Sequence, residues 1–194
     1  MNFLRIFSGT NYKGTKDYIN SQKKYEVIRT LIYFGISISL FIAGYVTTKT
    51  KVNLLTVVAV LGCLPACKSV VGMIMFFRFK SLPKEAADVI EKHVEGLETL
   101  YDMVFTTYDK TFNIGHVTLR GNTVVCYSCQ KNLDEAACIR HLTETLALDG
   151  ISSVTFKVFE DVNKYTQRLE QLKSLEDNEK LNETVKQTLL SIAL

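Results

Sequence analysis

Two long apolar runs near the N-terminus constrain this chain more than any other feature. Residues 30–48, TLIYFGISISLFIAGYVTT, hold no charged side chain in 19 positions. At 1.5 Å per residue a helix over them covers about 28 Å, close to the roughly 30 Å of a bilayer's hydrocarbon core. Residues 52–77 form a second run, 26 long, with Lys68 as its one charge and Arg78 and Lys80 just beyond. The first run begins too deep in the chain, and is too long, for a cleavable signal peptide, and no small-x-small cleavage signal follows it. The spacing therefore predicts two transmembrane helices.

Only Lys49, Thr50 and Lys51 separate the runs, which predicts a tight helical hairpin with both chain ends on one side. Arg5, Lys13, Lys16, Lys23, Lys24 and Arg29 precede the first run, and Arg78, Lys80 and Lys84 follow the second, against two lysines in the turn. The bias of positive charge then places both termini in the cytoplasm of a plasma or inner membrane. The five cysteines fit a reducing compartment without disulfides.

Charge divides the chain. Residues 1–80 carry a net +9 and residues 81–194 a net −6. The acidic second half argues against a nucleic-acid platform, which needs clustered Lys and Arg to neutralise phosphates. Residues 1–29 read instead as a basic juxtamembrane leader, whose cations either meet anionic lipid headgroups, with the apolar residues among positions 1–7 as an added interfacial anchor, or serve only as the topology signal.

Residues 81–194 predict a cytoplasmic α+β domain in the order α-β-β-β-α-β-α-α. Pro83 starts a helix with Ala86, Ala87, Ile90, Val94 and Leu97 on its apolar stripe, ending near Gly96. Residues 101–108 read as a strand. Residues 112–120 and 123–129 form a hairpin about Gly121-Asn122, suited to a type II′ turn. A two-residue turn pairs Leu119 with Val124 and Val117 with Cys126 on the apolar face, and His116 with Tyr127 and Thr118 with Val125 on the other. Asn132 as N-cap with Glu135 opens a helix bearing Ala136, Ile139, Leu142 and Leu146, closed at Asp149-Gly150. Residues 151–159 alternate as a strand, a further helix buries Val162, Tyr165, Leu169 and Leu172, and a last amphipathic helix carries Leu181, Val185, Leu189 and Ile192, which either fold back onto the sheet or form a second seam between copies.

Within the spans, Lys68 either snorkels toward the inner headgroups or meets Tyr33 and Ser37 at similar depth on the first helix, a candidate intramembrane polar site. Pro65 bends the second span just before it, and Cys63 and Cys67 read as packing residues. In the soluble domain Cys126-Tyr-Ser-Cys129 has the C-x-x-C spacing, but residues i and i+3 of a strand point to opposite faces, so the pair reads as packing or an exposed thiol rather than a metal or redox site. Cys138 and His141, one helical turn apart, lack a matching second pair. His116 opposite Tyr127 reads as a surface or interface hydrogen bond. No phosphate loop, dinucleotide glycine pattern, G-x-S-x-G or H-E-x-x-H occurs, and no cofactor is implied.

The α-β-β-β-α-β order over about residues 83–160 resembles the core topology of the PD-(D/E)XK nuclease superfamily, some of whose bacterial members hang a small domain from membrane helices. That resemblance implies a divalent metal held by an acid near the second strand and an acid-x-Lys on the third. Here the third strand offers Cys126-Tyr-Ser128, residues 112–129 contain no carboxylate, and Asp102 and Asp109 remain on the first strand and its turn. The resemblance thus implies a degenerate nuclease-like domain at most. The function expected is binding by an adaptor, sensor or assembly subunit with an unidentified protein partner, and a small transport-associated subunit using Lys68 stands as a further alternative. The small residues Gly35, Ser37, Ser39, Ala43 and Gly44 either draw two copies together or pack within one hairpin.

Overall fold

The computed structural model describes residues 12–50 and 53–194. The expected anchor at residues 1–7 and Lys51 of the turn lie outside them. Two long apolar helices are followed by a small α+β domain with a four-stranded mixed sheet. By its contacts the chain divides into a helical unit, residues 19–79, and a unit formed by residues 12–18 with 80–194.

In the helical unit, α1 (Tyr18–Thr48) and α2 (Leu54–Arg78) are long and apolar enough to cross a membrane. α1 begins well ahead of the uncharged run, so the C-terminal part of the basic leader is helical. Asn53 caps α2 by accepting from the Thr56 amide at 2.8 Å. Pro65 lies within a continuous helix.

The facing sides of the two helices meet at seven-residue spacing: Thr30, Ser37 and Gly44 on α1 face Ser69, Gly62 and Leu55 on α2, and all but Leu55 are small or hydroxylic. Thr30 and Ser69 share a hydrogen bond of 2.8 Å. A Cβ at Gly62 would lie 2.8 Å from the Ser37 hydroxyl, and one at Gly44 would lie 2.7 Å from the Asn53 side-chain oxygen and 2.9 Å from Leu55. Further along, Glu26 packs against Gly72 and pairs with Arg29. A 3.5-residue repeat is the period at which two helices keep one seam in register. The small residues let the backbones approach, and the hydroxyls satisfy one another where they meet.

In the second unit α3 (Lys84–Glu91) is followed by β1 (Glu98–Thr106), β2 (Thr111–Arg120), β3 (Thr123–Tyr127), α4 (Glu135–Leu148), β4 (Thr155–Phe159), α5 (Val162–Lys173) and α6 (Glu179–Ile192). The order is the one the sequence predicts. The sheet runs β1-β2-β3-β4, with β1, β2 and β3 antiparallel and β4 parallel to β3. β2 and β3 pair in the predicted register, about a turn whose Gly121 has φ +58°. Gly14 bridges Tyr101 and Ala193 bridges Phe105, shielding part of the β1 edge.

Several local expectations are corrected. The first strand starts at Glu98 rather than Tyr101 and stops at Thr106, because Thr107 and Lys110 close the turn between them. The first helix of this unit ends at Glu91, well before Gly96. Asp134, not Asn132, caps α4, accepting from the Ala137 amide, while Asn132 sits in a turn at φ +61°. With that cap the buried stripe is Cys138, Leu142 and Leu146, and Ala136 is exposed. The fourth strand starts at Thr155.

The larger correction concerns the sheet's second face. α4 and α6 cover one face, over a core including Phe105, Ile114, Val117, Cys126 and Leu142. α3 and α5 cover the other, over Leu82, Ile90, Val125, Tyr127, Tyr165 and Leu169. Both faces are buried, so every residue of β3 is buried.

Candidate functional site

Because α5 lies on the face opposite the larger core, His116 is not at a surface. It is fully buried, and the Tyr165 hydroxyl lies 2.6 Å from its Nδ1 and 2.8 Å from Thr118 Oγ1. Tyr165 is therefore a polar partner of His116 that the sequence did not reveal. Its sequence position marks it only as a stripe residue of its helix, since nothing in the sequence brings position 165 beside position 116. Tyr127 does lie across from His116 in the ladder, and its ring packs on Tyr165 with centroids 5.5 Å apart. The Tyr101 ring stands edge-on to His116 at 4.5 Å. His116 Nε2 has no hydrogen-bond partner among the described residues.

Burial holds the imidazole down to about pKa 3, so it is neutral throughout the physiological range. Burial also pushes the Tyr165 and Tyr127 hydroxyls up from their ordinary values. A neutral histidine without solvent access has no substrate to serve as base. The His116–Tyr165–Thr118 network fastens α5 to β2 through hydrogen bonds that need no water.

The thiols follow the same logic. Cys126 and Cys138 are both buried in the larger core, where burial raises Cys126 and pushes Cys138 up to about 12. Cys129 is exposed and is also shifted up by burial around its thiol. None is a poised thiolate. Cys126 and Cys129 point to different environments, one in the core and one at the surface. His141 packs near the Phe112 ring while Cys138 faces the core.

In the helical unit the structure does not bring Lys68, Tyr33 and Ser37 together. Ser37 is buried against Gly62, and Lys68 is exposed on the outer side of α2, where helical geometry turns it away from the Ala66 and Ser69 seam. Among the described residues of this unit, the buried polar ones are instead Gln22, Glu26, Thr30, Ser37 and Ser69.

Asp102 is a second residue whose placement was hidden. It is 2% exposed and sits at φ +52°, a left-handed conformation rare for a non-glycine residue. Its carboxylate accepts from the Leu82 amide at 2.9 Å and from the Ser81 hydroxyl. Among the described residues no group of three or more His, Cys, Asp or Glu converges as a metal site, and β2 and β3 carry no carboxylate. The donor set that the nuclease resemblance would need is therefore not assembled. An open surface cleft of about 790 Å³ lies beside the start of α6, lined by Glu98, Arg120, Asp177, Lys180 and Glu183. Arg120 is engaged there by the carbonyls of Gly96 and Leu175.

The arrangement defines a class of architecture, a pair of long apolar helices followed by a small α+β domain whose four-stranded sheet is covered by helices on both faces. No family profile, no curated protein and no solved structure matches the chain.

Proposed function

We propose that residues 30–48 and 52–77 are a two-pass hairpin in a plasma or inner membrane, with both termini cytoplasmic, and that residues 81–194 are a binding module held at the membrane surface. The observation that carries this reading is the inverted polarity of the helix pair. Leu31, Val46, Leu54, Leu64 and Val71 are each more than 60% exposed, while Thr30, Ser37 and Ser69 are buried. A helix pair in water puts its apolar residues inside; one in lipid can leave them outside and join through small and hydroxylic residues. Orientation follows from the cations flanking the spans.

The role proposed is that of an adaptor, sensor or assembly subunit with a protein partner. Anionic headgroups are a second partner. Lys13, Lys16 and Lys23 already donate to Ala193, Glu91 and Phe79, and Arg29 pairs with Glu26. The headgroup contact therefore falls on exposed Lys24, Arg78 and Lys80. The nuclease-like alternative has the element order in its favour, but β2 and β3 carry no carboxylate to hold its metal.

Full-length protein in native membranes tests the reading. It should resist alkaline extraction, and a Thr50→Cys variant lacking the exposed Cys67 and Cys129 should react with an impermeant thiol reagent from outside intact cells. Labelling only after lysis would overturn the orientation, and release by alkali would overturn the spans. A melting curve unmoved by magnesium or manganese separates a binding module from a metal enzyme.

A further inference from the structure

In β1, Leu100, Met103 and Phe105 all point into the larger core, and so do Val117, Ile114 and Phe112 on β2. A strand alternates sides every residue, so the three-residue steps from Leu100 to Met103 and from Ile114 to Val117 mark one break in each strand. The breaks coincide: Tyr101 pairs with His116 and Met103 with Ile114, leaving Asp102 and Gly115 between those pairs. Asp102 adopts φ +52° there. Gly115 leaves room for Leu82, whose Cδ1 would lie 2.9 Å from a Cβ at that position.

Residues 80–82, by which the chain leaves α2, dock into this break. They pair with no strand. Asp102 accepts from the Leu82 amide and the Ser81 hydroxyl, Asn113 Nδ2 donates to the Lys80 carbonyl at 2.9 Å, and Leu82 enters the smaller core. Ser81 Oγ also lies 3.4 Å from Asp17 Oδ1.

We propose that residues 80–82 are a releasable latch, held by Asp102 and Asn113 to a prebuilt break in the sheet, so that the exit from α2 detaches from the domain without any strand pair opening. Three features make it releasable rather than part of the ladder. Its bonds come from side chains, its receptor is a backbone break already present in both strands, and residues 80–82 make no backbone–backbone hydrogen bond to β1 or β2. Asp102 is thus a positioning residue. Engaged, it fixes residues 80–82 against β1 and β2; released, it frees them to move while the four strands stay paired. This does not depend on the membrane reading.

The test is residue-resolved hydrogen exchange on the full-length protein. In Asp102→Ala the Leu82 amide should exchange ~10–100-fold faster, the loss expected for a hydrogen bond to a charged acceptor, while Val117 and Val125 amides in the ladder keep their protection. Asp102→Asn tolerates positive φ, and its Oδ1 still accepts from Leu82 while its Nδ2 donates to Ser81, so it should restore protection to within a few fold. Asn113→Ala leaves Asp102 untouched and should speed the same amide by a smaller factor. Unchanged Leu82 exchange in Asp102→Ala overturns the latch. So does loss of protection at Leu82 together with Val117 and Val125 in both alanine variants, because the contact would then be a part of the core that cannot open separately.

Discussion

Thr30 and Ser69 meet across the helix pair through a 2.8 Å hydrogen bond between two buried hydroxyls. It lies one heptad from the Ser37 and Gly62 contact and two from Gly44 and Leu55, so a single register runs through the pair. In a soluble bundle such a seam would be apolar. Here buried hydroxyls share the interior with Ala59 and Ala66, while many of the leucines and valines lie outside.

Thr30→Val keeps the shape at that position and leaves Ser69 without its partner. Interhelical hydrogen bonds in bilayers contribute about 0.6 kcal/mol on average and up to about 1.7, so on the proposed membrane reading the loss should fall in that range. Thr30→Val with Ser69→Ala should recover part of it, because no hydroxyl is then stranded. Denaturation in mixed micelles, read by tyrosine fluorescence, checks the cycle. A double variant no better than the single would mean the hydroxyls do not act as a pair.

The β2–β3 register was legible because Gly121-Asn122 fixes a two-residue turn and every cross-strand partner follows from it. The two long helices were legible from their length alone. What escaped depended on contacts between distant positions. That α5 would cover the His116 face cannot be read from strands whose outward positions, Thr118 and Tyr127, tolerate either solvent or a core. Asp102 at positive φ follows no local rule, since neither Asp102 nor its neighbours form a turn sequence. The Asn132 cap failed for a smaller reason: Asp134, two residues on, also has a suitable acceptor, and the chain used the later one.

The small residues of α1 separate into two sets. Ser37 and Gly44 face α2, whereas Gly35, Ser39 and Ala43 are exposed, and nothing lies within 4 Å of a Cβ at Gly35. Gly44→Leu should therefore disrupt the pair, since its side chain would meet Asn53 and Leu55. Ala43→Leu should leave the pair intact and report only on contacts with another copy. Cross-linking in native membranes distinguishes the two, because a dimer band lost in Ala43→Leu with unchanged monomer yield identifies the outer face as a seam between copies. A pair equally damaged by both substitutions would contradict the division.

His116 makes the stability of the second unit pH-dependent in a defined window. Its pKa is about 3 in the folded chain against an ordinary value of 6.5. Above pH 6.5 the imidazole is neutral in both states and adds no slope. As pH falls below 6.5 the unfolded chain takes up a proton that the folded chain refuses, so stability declines by about 1.4 kcal/mol per pH unit until the folded imidazole titrates near 3. Carboxylates add their own slopes at the lower end, so the informative span is pH 6.5 down to about 5, above the ordinary carboxylate values. His116→Phe removes the titrating group and leaves the Tyr165 hydroxyl with Thr118. It should be less stable at neutral pH, by about 1–3 kcal/mol for the lost hydrogen bond and imperfect fit, yet flatter across that span. Urea unfolding of wild type and variant at several pH values measures both quantities. Parallel pH profiles would mean that His116 accepts its proton without unfolding and that the burial argument fails.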